Sequence, residues 1–151
     1  ALAEAFLRPP SEGIRLVHQN DCPGCGPASP VGLAMDVRRE GDSVTARASF
    51  GAAFAGAPGR AHGGLVAMAM DDLMGHILVL LGATAFTARL EVDYVAAVPI
   101  DRPLSFRAWS AGREQRKIRV KSECRDGDQL LVASTGLFIA VDPKLFAGEW
   151  S

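Results

Sequence analysis

Two groups of residues near the middle of the chain have the types and spacing of a catalytic site. His62-Gly63-Gly64 opens an apolar stretch that runs to Leu81, and Asp71, Asp72 and His76 lie inside it. At the start of a helix, backbone N–H groups are free to polarise a carbonyl oxygen, and glycines let a ligand approach them. A carboxylate among apolar side chains has the perturbed pKa typical of a base or nucleophile. Taken alone, the glycines are equally consistent with tight packing at a turn.

The three polar side chains do not share one face of the predicted helix. Asp72 and His76 are four residues apart and form an exposed or interfacial pair, whereas Asp71 points about 100° away and is the stronger functional candidate. Gly64 and Asp71 are separated by about 10.5 Å along a helix axis, which an aspartate side chain cannot span. If both act on one substrate atom, a second copy of the chain must supply Asp71. Function therefore predicts a dimer with two equivalent sites.

Alternating apolar and polar residues predict strands on both sides of this helix. The helix runs from His62 to near Gly82, and the predicted strands cover residues 14–17, 33–38, 44–50, 86–94, 104–112, 116–124 and 129–141. After the helix, one strand face carries Phe86, Ala88, Leu90, Val92 and Tyr94, and the other carries Thr87, Arg89, Glu91 and Asp93. The last strand is apolar on both faces, which predicts a central position. Four consecutive strands leave no room for crossover helices, so the sheet is antiparallel with the helix packed across it.

Length and composition predict one soluble domain. The chain has 151 residues, of which 48% are hydrophobic, and a formal net charge of -1, which argues against nucleic acid as a partner. Two adjacent aspartates in the apolar helix argue against a membrane span. Three cysteines and a start unlike a signal peptide favour the cytoplasm. We expect an N-terminal extension and Cys/Gly/Pro loop at 1–30, the domain at 31–143 and a C-terminal tail at 144–151.

The sequence resembles the hotdog-fold thioesterases, specifically the PaaI-like acyl-CoA thioesterase group. The resemblance is carried by FAGAPGRAHGG at 54–64, Asp71 nine positions after His62, TARLEVDY at 87–94 and Pro99, and it covers about residues 31–142. CPGCGPASPVGL at 22–33 is similar to a motif in part of the superfamily. The resemblance implies an α+β hotdog fold, in which a curved antiparallel sheet wraps a long central helix. It also implies homodimers, often dimers of dimers, that hydrolyse acyl-CoA thioesters without metal or cofactor.

The resemblance also implies roles for individual residues. Asp71 matches the carboxylate that activates water or attacks the carbonyl, and Gly63 or Gly64 matches the N–H that polarises the thioester oxygen. His62 matches a supporting residue, and Thr87 a hydroxyl that helps to place the water.

One position departs from the family pattern. Several relatives carry Asn or Gln six residues before the histidine, near the thioester, where this chain has Gly56. Such a change leaves a slow enzyme or a non-hydrolytic relative open.

A row of basic residues is a candidate site for the phosphates of CoA. Lys117 and Arg119 alternate on one strand face with Gln115 and Lys121, and Arg89 lies on the strand after the helix. Guanidinium and ammonium groups pair well with phosphate. Such a row is more commonly a solvated sheet face.

His18, Cys22 and Cys25 have the spacing H-x3-C-x2-C, which could begin a zinc site. Its fourth ligand would come from Cys124, His62 or a partner chain. We favour a tight Gly-Pro loop with buried thiols and predict no metal.

Acyl-CoA hydrolysis is the leading functional hypothesis, and two others stay open. A hotdog dehydratase or hydratase acting on β-hydroxyacyl thioesters is disfavoured by the spacing of Asp71 from His62. A non-catalytic acyl-CoA binding module is the third.

Overall fold

The computed structural model describes residues 10–147 and contains one long helix packed against a large antiparallel sheet. The helix, α1, spans Gly63–Leu80. The strands are β1 (Arg15–Leu16), β2 (Asp36–Glu40), β3 (Ser43–Ala48), β4 (Ala55–Ala57), β5 (Arg60–Ala61), β6 (Ala85–Tyr94), β7 (Leu104–Glu114), β8 (Lys117–Asp126) and β9 (Gln129–Ala140). Residues 1–9 and 148–151 of the expected extension and tail lie outside the described residues, so those segment boundaries stay predictions.

Seven strands form the main sheet in the order β1-β2-β3-β7-β8-β9-β6, with every neighbouring pair antiparallel. Gly41 and Gly127 have φ of 60° and 56°, in the left-handed region that glycine adopts readily, and they sit at the predicted hairpin turns. The apolar strand β9 lies inside the sheet, between β8 and β6, as its sequence predicts. The strand after the helix, β6, lies at an edge.

The helix lies close against the sheet, and its buried residues form the centre of the core. These are Val66, Ala69, Met70, Leu73, Met74, His76, Ile77 and Leu78. At Gly136, in β9, a Cβ atom would lie 3.1 Å from Met74 Cε, so glycine is what allows this close approach. One long helix against a large antiparallel sheet confirms the expected α+β hotdog architecture.

By length and composition alone, α1 is long and apolar enough to cross a membrane. The core helix of a soluble protein meets the same test, and α1 packs against β3, β6, β7, β8 and β9.

The segment before the helix contains a small second sheet that the sequence does not predict. Strands β4 and β5 pair through Ala55 with Ala61 and Ala57 with Arg60, and Arg60 bridges to Pro99. Alanine and glycine give a weak strand signal, so the composition of GAAFAGAPGRA predicts only a loop. The pairing fixes the backbone that leads into His62.

A β-bulge in β6 corrects the predicted assignment of its two faces. Thr87 pairs with Phe138 and Arg89 with Leu137, which leaves Ala88 as an extra residue. The extra residue reverses the alternation. Thr87 therefore shares the helix-facing side with Leu90, and not the opposite side with Arg89 as simple alternation predicts.

Candidate active site

Asp71 and Thr87 form the polar centre of the site. Thr87 Oγ1 donates a hydrogen bond to Asp71 Oδ1 at 2.8 Å, which joins the middle of α1 to the start of β6. Asp71 is half-buried. The structure thus brings together the two residues for which the resemblance implies a carboxylate and a water-placing hydroxyl.

Several influences act on the Asp71 carboxyl. Burial is the largest and raises its pKa, the hydrogen bond from Thr87 lowers it, and the charge of Asp72 raises it again, so that the net shift is upward. A raised pKa makes the carboxylate a better proton acceptor than an exposed aspartate.

A cavity of about 480 Å³ opens beside Asp71 and Thr87. Polar residues, among them Asp71, Asp72 and Thr87, line it together with six apolar side chains: Leu78, Val79, Ala83, Ala85, Phe86 and Phe138. Apolar walls beside a few oriented polar groups are the usual composition of a small-molecule site. The space suits an apolar group attached to a reactive centre at Asp71.

At the start of α1, His62 and the two glycines have distinct roles. His62 is the N-cap, and its Nδ1 accepts a hydrogen bond of 3.0 Å from the Gly64 N–H. The Gly63 N–H has no acceptor within residues 10–147. Tyr94 Oη donates to the Gly63 carbonyl oxygen at 2.6 Å, a contact that the sequence does not predict. Of the two candidate donors, only Gly63 is available to a substrate oxygen.

Gly56 packs directly on His62. A Cβ atom at Gly56 would lie 2.8 Å from His62 Cα and 3.0 Å from its Cβ, closer than ordinary contact. An asparagine or glutamine at this position would therefore displace His62. The departure from the family pattern is matched by the local backbone, which has no room for a side chain.

The basic row lies on the exposed side of β8, opposite the side that faces the helix. Lys117 and Arg119 are exposed and alternate with buried Ile118 and Val120. Arg119 and Arg89 both pair with Leu137, from strands on either side of β9, so the two guanidinium groups belong to one row of the sheet. Arg89 also forms a 2.8 Å ion pair with Glu91.

The structure overturns the predicted exposed or interfacial pair of Asp72 and His76. His76 is 1% exposed, the Asp72 side chain is 7% exposed, and His76 Nδ1 contacts the backbone oxygen of Asp72 at 2.9 Å. The loop at residues 18–26 covers this face of the helix. It brings His18 Nδ1 to 3.5 Å from Asp72 Oδ1, and Cys22 Sγ to 3.0 Å from the same oxygen.

Cys22 and Cys25 are buried free thiols in a tight loop, as expected. Cys25 Sγ lies 3.2 Å from His18 Nδ1, in a group with Asp72 and His76. The spacing of the sequence does not predict either of these helix residues as a ligand. Cys124 and His62, which it does offer as ligands, are not in the group.

Comparison with known proteins places this geometry in a family. The sequence pattern of the thioesterase superfamily matches residues 58–133, about half of the chain, including the start of α1, Asp71 and Thr87. The chain belongs to the thioesterase superfamily. Among solved structures, a thioesterase superfamily protein with 28% sequence identity superimposes with a TM-score of 0.74. The match covers 78% of this chain but only 62% of that protein, so this chain spans less than two thirds of its length.

Two more distant members share the fold. The phenylacetic acid degradation protein PaaI from Thermus thermophilus, solved as a variant, has 18% identity and a TM-score of 0.66 over 72% of this chain and 95% of that one. A hypothetical thioesterase from Streptococcus pneumoniae, solved with coenzyme A, has 16% identity and a TM-score of 0.67 over 71% of this chain and 85% of that one. These likenesses establish the shared hotdog thioesterase fold.

Proposed function

We propose that this superfamily member hydrolyses acyl-CoA thioesters to a carboxylic acid and free CoA, and that it works as a homodimer in the cytoplasm. The contact between Thr87 Oγ1 and Asp71 Oδ1, in the lining of a largely apolar cavity, carries the proposal. CoA as the carrier is supported by the coenzyme A bound to the Streptococcus pneumoniae thioesterase of the same fold.

In the proposed reaction, the acyl group enters the cavity and its carbonyl oxygen accepts a hydrogen bond from the Gly63 N–H. Asp71, as base, takes a proton from a water that Thr87 helps to place, and the water oxygen bonds to the carbonyl carbon. Negative charge on the carbonyl oxygen is stabilised by the N–H and by the positive end of α1. The tetrahedral intermediate breaks its C–S bond, and the CoA thiolate recovers the proton. If Asp71 instead attacks the carbonyl, the same groups are needed, with water entering in a second step.

The two halves of the site come from different protomers in this proposal. Gly63 and Asp71 belong to one unbroken helix, so eight residues of rise place them about 12 Å apart along its axis. A water and a thioester carbonyl bridge only a few ångströms. A two-fold axis can bring the start of the partner's α1 next to the Asp71 cavity. The separation within one chain then no longer matters, and the dimer has two equivalent sites. Pairing of two such dimers is compatible with the same site.

Conversion of Asp71→Asn tests the function directly. The amide keeps the shape but cannot take a proton, so kcat/KM should fall by roughly 10²–10⁴. The assay is release of free CoA thiol from a panel of acyl-CoAs of different chain length and aromatic character. Asp93→Asn, which changes an exposed carboxylate on β6, is the matched control and should retain activity.

The other outcomes would either exclude Asp71 or identify a different function. Undiminished turnover by Asp71→Asn would remove Asp71 from the mechanism. Hydration of enoyl-CoA without thiol release would assign a hydratase. Binding of acyl-CoA without any turnover by the unchanged protein would assign the non-catalytic module, for which the missing amide at Gly56 is the supporting observation.

A further inference from the structure

Four potential metal ligands converge where the 18–26 loop covers α1. His18 Nδ1, Cys25 Sγ, a carboxylate oxygen of Asp72 and a ring nitrogen of His76 all lie within 4.8 Å of one another. Within this group, His18 Nδ1 lies 3.2 Å from Cys25 Sγ and 3.5 Å from Asp72 Oδ1. Donors on a tetrahedral zinc ion, bonded at about 2.0–2.3 Å, are about 3.3–3.8 Å apart. The group therefore needs only a small contraction to surround one ion.

Two buried polar atoms in this group lack a partner in the described part of the chain. They are Nε2 of His76, which is 1% exposed, and Oδ2 of Asp72, whose side chain is 7% exposed. Because a backbone carbonyl can only accept, the 2.9 Å contact with the Asp72 oxygen places the proton of His76 on Nδ1. Nε2 then presents a buried lone pair. A histidine that donates one ring N–H to a carbonyl and keeps its other nitrogen unprotonated has the tautomer of a metal-binding histidine.

The loop is shaped to bring its side chains onto the helix. A Cβ atom at Gly24 would overlap the Asp72 carboxylate, so glycine permits the contact. Cys22 Sγ accepts the Gly24 N–H at 3.3 Å and donates to Asp72 Oδ1 at 3.0 Å. Cys22 lies outside the group of four and hydrogen-bonds to the Asp72 carboxylate, as an outer partner of a metal ligand does.

We propose that His18, Cys25, Asp72 and His76 bind one zinc ion that fastens the 18–26 loop to α1. Two imidazoles, a thiolate and a carboxylate are donors that zinc accepts, whereas magnesium and calcium prefer oxygen ligands throughout. Binding releases the Cys25 proton, and the two negative charges then balance the divalent ion.

The ion has a structural role in this proposal. Four protein ligands fill a tetrahedral zinc, which leaves no position for water or substrate. His18 and Asp72 line the cavity that contains Asp71, so the ion fixes one wall of that cavity. It therefore holds the shape of the pocket and takes no part in thioester hydrolysis.

The test is metal content and metal spectroscopy of the full chain expressed with zinc in the medium. We expect one zinc per chain by elemental analysis, and a lower Tm after treatment with a chelator, restored by zinc alone. With Co²⁺ as probe, we expect the absorption of a tetrahedral site together with a sulfur-to-cobalt charge-transfer band. Cys25→Ser should lose that band and bind zinc more than about 100-fold more weakly.

Further variants distinguish a zinc site from a buried hydrogen-bond network. His18→Gln alters a partly exposed ligand, so the chain should stay folded while its affinity for zinc falls in the same way. Cys22→Ser should keep one zinc, with affinity reduced about 10–100-fold. Cys124→Ala, at a buried cysteine outside the group, should bind zinc like the unchanged protein.

Three results would overturn the proposal: zinc-supplemented protein that carries no zinc, unchanged zinc affinity in both Cys25→Ser and His18→Gln, or a cobalt spectrum without sulfur ligation. The first would leave the group as a buried hydrogen-bond network, and the second would show an adventitious ion only.

Discussion

Neighbouring glycines at the start of α1 differ in what their N–H groups can do. The Gly64 N–H is bound to His62 Nδ1 at 3.0 Å, whereas the Gly63 N–H has no acceptor among the residues that the structure describes. The carbonyl of Gly63 is held by Tyr94. His62 Nδ1 and Tyr94 both hold the Gly63–Gly64 peptide. The preceding peptide, which carries the Gly63 N–H, is held through the His62 carbonyl oxygen, which accepts from Leu65 and Val66 at 3.0 Å. The Gly63 N–H is therefore the donor that the proposed mechanism assigns to the oxyanion.

Gly63→Pro tests that donor with little change to the helix. Proline is well tolerated at the first helical position, and His62 has φ -64° and ψ 129°, which suits a residue before proline. The substitution removes the N–H, so kcat should fall about 10²–10³-fold. Gly63→Ala is the matched control because it keeps the N–H, and its Cβ would lie 3.6 Å from Tyr94, in ordinary contact. Equal loss of kcat in both variants, measured by thiol release, would assign the defect to packing.

Strand β6 completes the site, and it contains a β-bulge that the sequence does not predict. The polar residues Asp71 and Thr87 are identifiable from type and resemblance. Their contact depends on the bulge at Ala88, and nothing in Phe86-Thr87-Ala88-Arg89 marks which residue is unpaired. Strict alternation therefore predicts the strand correctly and the face of Thr87 incorrectly.

The burial of Asp72 and His76 cannot be predicted from the sequence for a different reason. Helical spacing gives the direction of each side chain within one helix, but it carries no information about what covers that face. The covering loop comes from far away in sequence: Cys22 and Asp72 are 50 residues apart. Long-range contacts of this kind decide whether a histidine and an aspartate are exposed or buried. Such contacts cannot be predicted from the periodicity of a single sequence.

The exposed side of β8 is the predicted binding surface for the phosphates of CoA. If Lys117 and Arg119 contact CoA phosphates, conversion of each to alanine should raise KM about two- to five-fold, as expected for exposed ion pairs, with kcat unchanged. The effect should shrink at high salt because screening weakens exposed pairs. Arg38→Ala, in an exposed pair with Asp36 on β2, is the control. Unchanged KM in both β8 variants would mean that the row is a solvated face.

For the whole molecule, strand order and helix geometry lead to the same assembly. Strand β6 has ten residues and pairs with β9 alone among the strands of residues 10–147, so its other edge can continue the sheet into a second copy. In the proposed mechanism, the separation of Gly63 from Asp71 along α1 independently requires a partner chain. The helix-spacing argument is available from the sequence alone, because it depends only on the rise per residue. The edge position of β6 is not: periodicity identifies a strand and its faces but does not say which strands are neighbours.

Mixing two inactive variants measures the central claim that each site is built from two protomers. A dimer of one Asp71→Asn chain and one Gly63→Pro chain has one site with both defects and one with neither. Random reassociation of equal amounts makes half of the dimers mixed, so about a quarter of the original thioesterase activity should return. No activity above the sum of the separate variants, with mixed dimers confirmed by native mass spectrometry, would show that Gly63 and Asp71 do not act together across the interface.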